Sequence, residues 1–133
     1  MFKRFTLIQS DYPNHESINE LLQWLGGSLG LFNLRDKDKS RFRIFIALVQ
    51  AAKKQELLSS DDLAVRLQLS RGTVIHHVNH LIDAGIVEAH DKGYAMRMQN
   101  LSQLIEYMER DLHETCRRLK DVAKRIDDQL GLP

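Results

Sequence analysis

Residues 58–98, LSSDDLAVRLQLSRGTVIHHVNHLIDAGIVEAHDKGYAMRM, decide how this chain folds. Ser59 is placed to cap a short helix, with Asp62 at the third position and Leu63, Ala64 and Leu67 as its inner face. Leu69-Ser70 closes a turn, and Ser70 caps a second helix that runs to Ala84, where Gly85 suits the C-terminal stop. Ile86–His90 and Tyr94–Met98 read as two short strands joined by Asp91-Lys92-Gly93, with the glycine available for a positive φ. Capped helix, tight turn, capped helix and hairpin, in that order, predict a winged helix-turn-helix.

Winding the second helix at about 100° per residue separates its faces. Val74, Val78 and Leu81 fall on one side with His77 at the border; Gly72, His76, Asn79 and Asp83 fall opposite, flanked by Thr73, Ile75 and His80. One face is built for a core, and the other is polar and narrow enough for a major groove. Asn79 can pair with an adenine edge, His76 can donate to base acceptors or phosphate, and Ile75 can meet a thymine methyl. Ser70, Arg71, Gly72 and Thr73, with the amides of the helix start, can hold phosphate, and His80 completes the flank. Lys92 at the hairpin tip, with His90 beside it, is placed for the backbone or minor groove. Any one of these side chains alone reads as solvated helix surface; together they read as a double-stranded DNA contact.

Outward from this core, residues 39–54 form a helix with Phe42, Ile44, Phe45, Leu48 and Val49 as its stripe and Lys53-Lys54 at its end. Residues 35–40 (RDKDKS) are a charged connector. From Asn14 the pattern is helical, with Ser17 and Glu20 suited to a capping box and Ile18, Leu21, Leu22 and Leu25 on one face. Gly26, Gly27 and Gly30 then mark a weakened second segment, apolar through Leu34, that packs closely against something. Trp24 reads as core rather than pocket lining. Residues 1–12 form a short strand or an arm.

Residues 100–130 read as one long helix. Leu101, Ile105, Met108, Leu112, Thr115, Leu119, Val122 and Ile126 alternate at spacings of four and three, the seam of a coiled coil. Its only same-length partner is another copy of itself, so a homodimer is expected. The alternative is a helix folded back over its own domain. The expected divisions are an N-terminal arm and helical element over 1–36, the winged helix-turn-helix over 37–98, and a dimerisation helix over 99–133. The fold class is mainly α with a small β-hairpin.

The chain of 133 residues has a formal net charge of +1, which looks unpromising for nucleic acid. Yet residues 35–80 carry nine basic and five acidic side chains, so the excess is concentrated on the helix-turn-helix half. One cysteine excludes a disulfide framework and a multi-cysteine metal site, and suits a reducing, cytoplasmic setting. No apolar run is long enough for a membrane span, and no signal-peptide core follows the first four residues. A glycine-rich phosphate loop, a nucleophile elbow and a carboxylate pair in a plausible cleft are all missing, so no enzyme and no cofactor are expected. His76 and His80, four apart, and His113, Cys116 and Glu109 are weak metal sets, and no metal is expected at either.

The run Ser70-Arg71-Gly72-Thr73-Val74-Ile75-His76-His77-Val78-Asn79-His80-Leu81-Ile82-Asp83-Ala84-Gly85-Ile86-Val87 resembles the signature of ArsR-like winged-helix regulators. That signature reads Ser, two variable residues, Thr-Val, two more, His-Leu, three variable residues ending in Leu, then Ala-Gly-Leu-Val. The resemblance covers residues 37–98, looks like archaeal members, and says little about 1–34. It implies a winged-helix regulator with His77 structural and His76 at a DNA-contacting position, and with the coiled-coil seam of the long helix the expected function is a dimeric repressor that occludes its operator. Leu63-Ala64-Val65 lacks the cysteine pair of the metal-sensing branches, so neither that sensing site nor an effector is implied. Two other functions fit the same fold: a protein-interaction module of a larger assembly, and a ligand- or metal-responsive sensor.

Overall fold

Side-chain caps set four of the helix starts. In the computed structural model, which describes residues 3–13, 17–32 and 37–133, Ser17, Ser59, Ser70 and Asn100 each accept a backbone N–H from the third residue onward. The helices they begin are α1 (Ile18–Ser28), α3 (Ser60–Leu67), α4 (Arg71–Asp83) and α5 (Leu101–Leu130). Between them lie α2 (Ser40–Lys53), β1 (Val87–His90) and β2 (Gly93–Met96). The Ser59–Asp62 pair forms a reciprocal capping box, with Ser59 N–H donating to Asp62 Oδ2 at 2.9 Å and Asp62 N–H to Ser59 Oγ at 3.0 Å. The helix start at Asn14, Leu34, and connector residues 35 and 36 lie outside the described residues.

The core is a helical layer closed by the hairpin. Ile44, Phe45 and Leu48 of α2 meet Leu63 of α3, Val74, Val78 and Leu81 of α4, and Ile86 and Val87 at the start of the hairpin. The mainly helical chain with one small antiparallel hairpin is a winged helix-turn-helix. β1 and β2 pair with His90 opposite Gly93 and Val87 opposite Met96. The regular strands are shorter than the sequence pattern suggests, although Arg97 N–H still donates to Ile86 O at 2.9 Å and carries the same register one pair further.

A third piece of backbone, absent from the sequence reading, completes the sheet. Leu58 and Tyr94 exchange both backbone hydrogen bonds, at 3.1 and 2.8 Å. This bridge ties the wing to the residue just before the Ser59 cap. It also explains Gly93, because a Cβ there would stand 2.8 Å from the Leu58 carbonyl.

Two expectations change at the chain ends. Gly26 and Gly27 lie inside α1 rather than in a separate segment, and the helix continues to Ser28. The close packing is real: a Cβ on Gly26 would meet the Phe42 ring at 2.7 Å, so glycine lets α1 approach α2. Trp24 is half-buried and not core. Its indole donates to Asp11 O at 2.6 Å and its ring stacks on Tyr12, so it fastens the extended N-terminal arm. Residues 3–13 contain no strand.

The first turns of α5 also differ from the seam. Leu104, which is off the seam, is buried together with Met108, and Leu101 packs partly against the same core. The beginning of α5 thus belongs to the winged domain. Beyond Thr115 every residue of the helix is exposed.

Candidate nucleic-acid interface

Helix α4 separates into the two expected faces. Val74, His77, Val78 and Leu81 are buried. Ser70, Arg71, Gly72, His76 and Asn79 are exposed, while Thr73, Ile75 and His80 are half-buried. Asp83, at the C-terminal end, has its carbonyl occupied by the N–H groups of Lys3 and Arg4 at 2.7 and 2.9 Å. The arm therefore closes the far end of α4, and the N-terminal end is left open.

At that open end the Ser70 hydroxyl accepts the Thr73 N–H at 3.1 Å and donates to Thr73 Oγ1 at 2.8 Å. Both hydroxyls are thus engaged in the cap. A Cβ built on Gly72 meets nothing within 4 Å, so the backbone there can be approached closely from outside. The positive end of the helix dipole points the same way. Arg71 stands 3.7 Å from Asp61, but both side chains are more than two-thirds exposed, and such a pair holds weakly in water.

His77 is more deeply engaged than a border position suggests. Arg41 of α2, itself buried, donates from Nε to His77 Nδ1 at 3.2 Å. With Nδ1 accepting, the neutral ring carries its proton on Nε2. His76 lies edge-on against the His77 ring, with centroids 5.1 Å apart. Arg41 escaped the sequence reading although a signal was present. It shares the helical face of Ile44, Phe45 and Leu48, where a cation must be paired.

His80 does not face the solvent squarely. Its Nδ1 is buried without a hydrogen-bond partner among the described residues. Burial holds its pKa below the ordinary 6.5, and the nearby Arg41 and His76 charges push the same way, with Asp83 opposing them. The ring is neutral at neutral pH.

On the flank, Asp91 and Lys92 form the exposed tip of the hairpin. His90, next to them, lies 3.6 Å from Glu88 in a half-exposed pair. The hairpin is held against α5 by Arg97, which bonds Asp111 Oδ2 at 2.7 Å and reaches Gly85 O at 3.5 Å. Both members of that ion pair are only 13% exposed, and the guanidinium also lies over Tyr107. No local pattern announces a contact between residues 14 apart across a loop.

Among the described residues no group of three or more His, Cys, Asp or Glu is placed to hold a metal ion. Neither His76 with His80 nor His113 with Cys116 and Glu109 forms such a cluster. No described helix is long and apolar enough to cross a membrane. Residues 37–88 match the family model for winged helix-turn-helix DNA-binding domains. A winged helix-turn-helix DNA-binding domain is present in this chain, and that fold is a non-catalytic binding module. No curated protein and no solved structure matches the chain.

Proposed function

From a domain of this kind with one open helix end, we propose that the protein is a sequence-specific transcriptional regulator of the ArsR-like type, a repressor acting by operator occlusion. The observation that carries the proposal is the outward face of α4: His76 and Asn79 exposed over a helix start that is open at Gly72. In this reading the N-terminal half of α4 enters the major groove. Asn79 reads an adenine edge, His76 meets a base acceptor or phosphate, and Ile75 lies against a thymine methyl. Arg71, Thr73 and the first-turn amides position the phosphate backbone, with Ser70 holding that turn in place through its cap. Lys92 contacts the flank. His80 is a marginal member of the set, because its Nδ1 is turned inward.

Dimerisation belongs to the same proposal. Leu119, Val122 and Ile126 are at least half exposed on α5. An isolated helix with such a stripe gains most of its stability by burying it. Two copies of α5 packed along this seam would set two recognition helices about 34–36 Å apart on a pseudo-palindromic site.

Selection from random duplexes at stated salt tests the reading. A recovered inverted repeat supports it, and binding indifferent to sequence refutes it. Asn79→Ala is expected to cost about 1–3 kcal/mol on the selected site and to relax preference at one position. Lys92→Ala is expected to weaken all duplexes alike and to reduce the salt slope by about one. Equal loss on every duplex for Asn79→Ala would remove that residue from base reading.

A further inference from the structure

A groove of about 370 Å³ lies between α1, α2 and α3, on the side of the domain that α1 adds to the helix-turn-helix. Its walls are Leu22 of α1, Phe42 and Ile46 of α2, and Leu67 of α3. Two arginines, Arg43 and Arg66, also line it, and no acidic residue does. The volume is in the range of small-molecule sites, which are mostly apolar with a few placed polar groups. An apolar trough with a cationic rim is complementary to one class of molecule: an anion on an apolar body.

We propose that this groove is an effector site for small amphipathic carboxylates. The apolar body would lie on Leu22, Phe42, Ile46 and Leu67, and the carboxylate would meet the planar guanidinium groups of Arg43 and Arg66, whose geometry suits a carboxylate better than a lysine would. One bond from the groove reaches the end of α3, next to the turn that leads into α4. Arg43 Nη2 donates to Leu67 O at 2.6 Å, at the last residue of α3 and three residues before the Ser70 cap. A carboxylate that draws Arg43 toward itself competes with that carbonyl and releases the C-terminal end of α3. Bound ligand therefore weakens DNA binding, and by linkage DNA weakens the ligand equally. The groove rests on its own residues; its coupling to DNA rests on the function proposed above.

Octanoate tests the site, with octanol as the neutral counterpart. Octanoate added to the full chain is expected to shift the methyl resonances of Leu22, Ile46 and Leu67. It should bind roughly tenfold or more tightly than octanol, the difference a charge-assisted pair makes. Arg66→Gln, at an exposed position, is expected to reduce octanoate affinity severalfold toward that of octanol without changing octanol binding, and Ile46→Trp to abolish both by filling the trough. Shifts confined to the α5 seam, or equal affinity for acid and alcohol, would overturn the proposal. Saturating octanoate is expected to lower affinity for the selected duplex at least about fivefold. Octanoate that binds the groove and leaves DNA affinity unchanged overturns the coupling alone. A protein that binds octanoate and no DNA overturns the function proposed above and leaves the groove standing.

Discussion

His80 has a depressed pKa, led by burial and reinforced by Arg41 and His76. The unfolded chain therefore binds this proton more readily than the folded one. Its contribution to stability is complete above the ordinary value of 6.5 and is lost as pH falls through the lower native value. Denaturant midpoints are expected to be level above neutrality and to decline below it. His80→Gln should remove part of that decline, and an identical pH slope in the variant would show that His80 is not its source. Gly93 is equally constrained. A Cβ there stands 2.8 Å from the Leu58 carbonyl and 3.0 Å from the Ser59 amide, neither of which can move without opening the bridge. Gly93→Ala is expected to cost about 1–3 kcal/mol in chemical denaturation and to loosen the wing. The glycine's turn role was legible in the sequence. Its steric reason was not, because the obstructing backbone lies 35 residues earlier in the chain.

Among elements, the contact between the hairpin and α5 sets the direction in which the long helix leaves the domain. Arg97 and Asp111 form it with Tyr107, and the pair is largely shielded from water. Removing one partner strands the other, so Arg97→Gln is expected to destabilise by about 3 kcal/mol. In a double-mutant cycle with Asp111→Asn the two losses should fall short of additivity by about 1 kcal/mol or more. Strict additivity would mean that the pair does not couple the elements. The helices themselves were legible because caps and stripes are local: Ser59, Ser70 and the Val74, Val78, Leu81 face stand where the pattern places them. Arg97–Asp111 and Leu58–Tyr94 were not, because each joins segments whose spacing in sequence carries no periodic signal.

Taken whole, the molecule buries only the beginning of α5. Leu101, Leu104 and Met108 close the winged domain, Ile105 between them is already exposed, and Leu119, Val122 and Ile126 further on are at least half exposed. Deleting 101–133 would therefore open the core as well as remove the seam. Removing 113–133 instead leaves Leu104, Met108 and the Asp111 pair in place. This shorter chain is expected to stay folded, to sediment as a monomer, and to lose about 10²-fold or more in affinity for a two-half-site duplex. A dimer of unchanged strength would refute the seam. The order of the elements, most of the caps that start them and the two faces of α4 are written into short stretches of sequence. Those follow from backbone hydrogen bonding and periodicity within a few residues. That Arg41 bonds His77 in the interior, that α5 gives its first turns to the core, and that α1 walls a groove with two arginines emerges from the folded chain alone. Each of these depends on surfaces meeting across distant segments, where burial and pairing of charge outweigh local preference.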